Sequence, residues 1–171
     1  MILPESEPGV RRLCVAVCGR RGLLASACLA GGYDRFYVFP APGGDGEVGI
    51  APPGIDEAGF AAGLITTLRT AIAADPAAAP TRLALHVGIV RVRDDRFVGS
   101  AVDRVLDLVR GEAPPGPGRL GACAVLAAVT ESLFGDLLGE GWSSVGWHPM
   151  PAAGVWCKEH TPLRPDAASA D

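Results

Sequence analysis

No apolar stretch of this chain runs far before a glycine or a proline interrupts it. Twenty-three Gly and 15 Pro are spread through 171 residues. Glycine and proline are the poorest helix formers, so the pattern excludes a helical bundle or a coiled coil. It has no three-residue period, which excludes a collagen-like rod. Between the breaks lie short runs rich in Val, Leu, Ile and Ala. With 49% hydrophobic residues and a mean hydropathy of +0.27, those runs suffice for one buried core. One domain is expected over residues 11–160, between a flexible leader (1–10) and a disordered tail (161–171).

The runs can be assigned by period. Arg12–Cys18, Arg35–Phe39, Glu47–Ala51, Arg82–Val92, Ala122–Val129, Ser144–Trp147 and Gly154–Lys158 read as strands. Pro40–Gly46 between two of them predicts a hairpin turn. Ile55–Ala74 predicts a helix, with an apolar stripe at Ala61, Leu64, Ile65, Leu68 and Ile72, a cap at Asp56 and a stop at Asp75-Pro76. Ser100–Gly111 predicts a second, with Val102, Val105, Leu106 and Val109 inward. Gly22–Ala30 and Thr130–Leu138 are shorter helices, the latter capped by Thr130. Pro76–Pro80, Asp94-Asp95 and Pro114–Gly118 are turns or loops. The order predicts an α+β sheet with helices packed on one face and strands at the C-terminal end.

Charge and cysteine content narrow the function classes. A formal net charge of −4 argues against general affinity for nucleic acid or an anionic membrane. Fourteen of the 15 basic residues are Arg, Lys158 being the exception, which fits a GC-rich genome more simply than anion recognition. Cys14, Cys18, Cys28, Cys123 and Cys157 have no C-x-x-C spacing and are read as reduced thiols. Arg11-Arg12 before an apolar run imitates a secretion signal, but Arg20-Arg21 divide that run. No window approaches the roughly 18 apolar residues of a membrane span, so a cytoplasmic protein is expected.

His86, His148 and His160 lack zinc-site spacing, and His86 is read as a hydrogen-bonded structural residue. Trp142, Trp147 and Trp156 are read as packing against the sheet. Cys18–Arg21 is read as a solvated turn, with anion binding by the Arg20-Arg21 pair as the alternative, and the alternating Arg91 and Arg93 as the wet side of a sheet, with an Arg/carboxylate surface patch as the alternative. The most specific local feature is Gly43-Gly44-Asp45-Gly46-Glu47, an acidic residue on a Gly-flanked hairpin tip. Glycine lets backbone approach a metal or phosphate closely, although Asp-Gly is also ordinary turn chemistry.

Taken with Leu83–Gly88 and with Phe97-Val98-Gly99-Ser100-Ala101-Val102-Asp103, this hairpin resembles the class III nucleotidyl cyclase catalytic domain over roughly Leu13 to Glu159. The Pro52-Pro53-Gly54 turn is similar to that of divergent actinobacterial members. The pentapeptide is also similar to the G-G-D-E-F loop of diguanylate cyclases, but Gly46 and the downstream helix favour class III. The resemblance implies a ferredoxin-like, palm-like βαββαβ sheet. It also implies two aspartates binding Mg²⁺ or Mn²⁺ to activate a ribose hydroxyl.

The chain departs from that pattern position by position. The hairpin aspartate matches Asp45, but the first-strand aspartate falls on Ala16. The ribose-orienting Asn falls on Asp103, and the transition-state Arg falls on Asp107. The purine-selecting Lys falls on Ala41 and its acidic partner on Arg96. What the resemblance leaves is vestigial catalytic positions (Ala16, Asp103, Asp107), a weak metal position (Asp45) and weak nucleotide positions (Gly44, Gly46, Arg96, Asp103). The expected function is a catalytically inactive cyclase-like module, a homodimer or a partner of another protein in bacterial signalling, with no cofactor. Two alternatives stay open. One is a divergent metal-dependent nucleotide-processing enzyme using Asp45, Glu47 and Asp103 with Mg²⁺ or Mn²⁺. The other is a module binding a nucleotide or second messenger in the vestigial cleft.

Overall fold

Leu13–Val17 is buried without a break, and that run is the middle of β1 (Val10–Cys18). A strand with no polar side needs cover on both faces, and both are covered here. The structure is a computed structural model that describes residues 8–75, 80–94, 96–111, 125–161 and 163. After β1 come α1 (Leu23–Ala30), β2 (Tyr37–Pro40), β3 (Gly46–Ile50), α2 (Glu57–Ala73), β4 (Thr81–Arg93), β5 (Arg96–Val98) and α3 (Ser100–Arg110). Then follow β6 (Val125–Thr130), α4 (Glu131–Gly139), β7 (His148–Met150), a 3₁₀ turn at Pro151–Ala153 and β8 (Val155–His160).

The strands form one mixed sheet in the order β2-β3-β1-β4-β6-β8-β7, with β5 paired to the end of β4. The pairing of β4 with β6 is parallel and the other pairings are antiparallel. This is the α+β sheet the sequence predicts, with one correction. The helices are not all on one face. Leu13, Val15 and Val17 point with Leu83 and Leu85 into a core under α1, α2 and α4. Cys14, Ala16 and Ala84 point the other way, into a second core under α3, where Ala101, Val102, Val105, Leu106 and Val109 meet them.

The two long helices form for the reasons their sequences give. The Asp56 carboxylate accepts the Gly59 N–H at 2.9 Å and caps α2, whose stripe from Ala61 to Ile72 is buried. All four inward valines and leucines expected of α3 are buried. Other expectations need correction. Ser144–Trp147 is not a strand; the strand is His148–Met150. A proline is tolerated there because β7 is at the edge of the sheet. Thr130 stands at the start of α4 but makes no side-chain cap; its Oγ1 lies 3.0 Å from His86 Nδ1. The three-residue β5 has no counterpart among the predicted strands.

His86 is thus hydrogen-bonded as expected, and burial, with Arg104 nearby, pushes its pKa down. The tryptophans pack as expected: Trp142 and Trp147 lie 5.7 Å apart, and Trp156 stacks on Phe134 at 4.5 Å. Cys14, Cys28 and Cys157 are buried free thiols, pushed up to about 12, 12 and 11 chiefly by burial. Cys18 is half-buried. The expectations for residues 1–7, the loops over 76–79 and 112–120, Asp95, Cys123 and the tail lie outside the described residues, apart from Thr161 and Leu163. Among the described residues, no helix is long and apolar enough to cross a membrane.

Candidate functional site

The hairpin between β2 and β3 is held by two backbone bonds across its base. The Ala41 N–H donates to the Gly46 carbonyl at 2.9 Å, and the Gly44 N–H to the Ala41 carbonyl at 3.0 Å. Gly43 and Gly44 adopt φ of +94° and +86°, a region that strains other residues. Gly46 is demanded by something else. A Cβ there would collide with the Val17 carbonyl oxygen, because β1 and β3 pair with Cys18 opposite Gly46. Gly46 is therefore a packing residue between two backbones.

The register sets what each acidic residue does. Glu47 lies opposite Val17 and shares its face of the sheet. It is buried, and its Oε2 accepts the Leu24 N–H at 2.8 Å. The carboxylate thereby serves as the N-terminal cap of α1, whose own preceding residue, Gly22, has no side chain to do so. Nothing local in the sequence marks this bond, because the partners are 23 residues apart. Asp45 is exposed at the tip.

Ala16 is fully buried on the other face, in the core under α3. Between Asp45, Ala41, Val109 and Arg110 lies a space of about 10 Å³, room for about one water. Two guanidinium groups stand over the tip. Arg110 Nη2 donates to the Pro42 carbonyl and lies 3.7 Å from where a Gly43 Cβ would be. Arg21 Nη2 lies 3.6 Å from the corresponding position on Gly44. These residues do not fit a divalent metal ion. One ligand position holds a methyl group, one carboxylate is committed to a helix terminus, and the remaining carboxylate is flanked by positive charge. Among the described residues, no group of three or more His, Cys, Asp or Glu could hold a metal.

A separate, larger groove of about 740 Å³ opens between β2, β5 and the start of α3. Tyr37, Phe39 and Phe97 form its apolar wall, with Phe97 lying 5.1 Å from Tyr37 and 6.3 Å from Phe39. Arg96 and Asp103 also line it, and both are exposed. Its size is within the roughly 300–1,000 Å³ of small-molecule sites. Asp107, one helical turn beyond Asp103, is exposed on α3 outside this lining.

The predicted site residues therefore fall into two places. Gly44, Asp45 and Gly46 belong to the hairpin tip, with Ala16 buried beneath α3, whereas Arg96 and Asp103 belong to the groove. Arg21, which the sequence offers as part of a solvated turn or of an anion-binding Arg pair, and Arg110, to which the sequence assigns no role, both stand over the tip. Their signal was an Arg pair at a turn and an Arg in the last turn of a helix.

No protein-family model matches the chain, and no curated protein does. Solved structures do. The crystal structure of an adenylate/guanylate cyclase/hydrolase from Silicibacter pomeroyi is similar over 86% of this chain and 96% of that one, with a TM-score of 0.50 and 18% identity. The fold is cyclase-like. At that identity the likeness speaks to architecture alone.

Proposed function

We propose that this chain is a catalytically inactive cyclase-like domain that acts as a regulatory, dimerising or protein-interaction module in bacterial signalling. The observation that carries this reading is Ala16. Where the resembled pattern has a metal-binding aspartate, this chain has a methyl group with no solvent exposure, packed in the core under α3. Asp107 adds a second loss, since a negative charge stands where phosphoryl charge would have to be stabilised. Removing one preorganised stabilising group costs ~10²–10³ in rate, and an arginine acting on phosphoryl charge is worth ~10³–10⁵. A homodimer would not repair the site, because each copy carries the same substitutions. The test is cAMP and cGMP formation from ATP and GTP with Mn²⁺. Background rates are expected, and turnover well above background that disappears in Asp45→Ala would refute the reading. Light scattering at twice the monomer mass would support the dimerising role.

The groove favours a second reading, a module that binds a nucleotide or second messenger without turning it over. Its aromatic wall can stack on a planar base, and Arg96 and Asp103 supply polar handles of both signs. A thermal-shift panel of nucleotides tests it: stabilisation that Arg96→Ala removes supports it, and a flat panel counts against it.

A further inference from the structure

We propose that the projecting end of the β4–β5 hairpin docks an extended acidic segment of a partner protein, one that presents carboxylates and aliphatic side chains on the same face. The inference rests on the reading of this chain as an interaction module, for which it names a surface and a partner class. The pairing of β1 with β4 ends at Val10 opposite Val90, and Arg91–Arg93 pair onward with β5. The two strands thus run past the start of β1 as a ribbon. Arg91 lies opposite Val98, and Arg93 opposite Arg96. Directly opposed residues share a face, and Ile89, two residues before Arg91, shares it too. That face carries three exposed arginines beside two aliphatic side chains, Ile89 at 47% and Val98 at 38% exposure. The other face is already occupied: Val92 lies opposite Phe97, whose ring packs by Tyr37 and Phe39.

The positive charge on this face is unspent. Among the described residues Arg91 and Arg96 have no ion pair, and Arg93 has one, at 3.8 Å with Asp94 beside it in the chain. Both members of that pair are more than four-fifths exposed, so it contributes little. Like charges directly opposite each other on paired strands are destabilising. Arg93 and Arg96 therefore work against the hairpin, and a carboxylate supplied from outside reverses that sign. The patch does not inherit its charge from the chain, whose formal net charge is −4. Arg91 and Arg93 are ~7 Å apart along the strand, the same spacing that separates alternate side chains of another extended chain. A polyanion such as nucleic acid or an anionic membrane is repelled by the rest of the molecule, and a phosphate backbone gains nothing from Ile89 and Val98. A short acidic segment with aliphatic residues satisfies both parts of the face.

The test titrates the full chain into a fluorescent peptide, Glu-Ser-Glu-Ser-Val-Ser-Ile, and follows anisotropy at low and high salt. Binding is expected, weakening with added salt and lost when Gln replaces both Glu. Arg91→Ala and Arg93→Ala should each weaken it about two- to fivefold, the range of an exposed ion pair, and Ile89→Ser severalfold. Arg20→Ala makes the same charge change beyond the far end of β1 and should leave binding as it is. Neither Arg91 nor Arg93 lines the groove, so their variants should not alter any thermal shift by nucleotides. A chain that dimerises without binding the peptide keeps the module reading and loses this site, whereas cyclase turnover removes the module reading whatever the peptide does. No binding at low salt, equal binding of the Gln peptide, or equal weakening by Arg20→Ala would each overturn the proposal. So would tighter binding to duplex DNA or to phosphatidylserine vesicles, or salt-sensitive self-association abolished by Arg93→Glu, which assigns the face to a second copy.

Discussion

Replacing Glu47 separates a structural carboxylate from a functional one. Its Oε2 accepts the Leu24 N–H at 2.8 Å in a buried setting, so Glu47→Ala removes a charge-assisted bond and strands a donor. Hydrogen bonds to charged groups contribute ~1.5–3 kcal/mol net, and a negative charge at a helix N-terminus adds ~0.3–1 kcal/mol. The expected loss is about 3 kcal/mol, which for a chain of this length lowers Tm by roughly 6–12 °C. Glu47→Gln keeps an acceptor of the same shape and should lose only about 1 kcal/mol. Urea unfolding followed by circular dichroism measures both, and alkylation of Cys28, inside α1, gives a local readout because fraying of that helix exposes it. Under the alternative in which Glu47 handles a metal, removing it would leave metal-free stability unchanged. A Glu47→Ala variant within about 0.5 kcal/mol of the parent, or a Gln variant as damaging as the Ala, would refute the capping role.

Gly46→Ala places a Cβ against the Val17 carbonyl oxygen, a backbone atom that cannot swing aside. It should cost about 3 kcal/mol or more, seen as a fall in the urea midpoint; an unchanged midpoint would mean that β1 and β3 are not so closely paired. The pKa of His160 is lowered to about 4, by burial first and then by Lys158 and Arg69. The unfolded chain, titrating near 6.5, then binds the proton more readily, so stability should fall as pH drops from about 6.5 toward 4. His160→Gln should flatten that part of the profile relative to the parent, and an identical slope in both would count against it. Iodoacetamide at pH 8 should spare Cys14, Cys28 and Cys157, whose thiols burial holds at about 12, 12 and 11, and label them once urea is added. Peptide mapping that finds them modified in the native protein would contradict their packing.

The parts of the fold legible in the sequence are those where one local signal dominates. In α2 a capping aspartate and a stripe at helical spacing agree, and Asp56 and Ile72 both take the expected roles. In α3 the inward set is right, yet the face it packs on is not encoded in its own period. The signal for that lay in β1: Leu13–Val17 contains no polar residue, and such a strand requires cover on both sides. Arg96–Val98 is too short for any period to register. His148–Met150 was hidden by Pro149, which only a known edge position makes acceptable. Glu47 and Thr130 illustrate a different limit. Each carries a side chain whose partner is set by tertiary placement, Leu24 in one case and His86 in the other, so residue type alone suggested catalysis for the first and capping for the second.

The glycine-rich pentapeptide shows how a motif can outlast the chemistry it suggests. Gly46 is required by the distance between β1 and β3, whatever binds at the tip. Gly43 and Gly44 are required by a turn with left-handed backbone, and Glu47 by the start of a helix. Each of these four positions has a local physical cause that a substitution would violate at the expense of stability. Only Asp45, exposed and outside every ion pair among the described residues, is unconstrained by the fold. The chemical information in the motif thus reduces to one carboxylate and the charges around it, and those charges are the guanidinium groups of Arg21 and Arg110. The tip thus keeps the shape of the motif for reasons of packing and backbone geometry, whatever it binds.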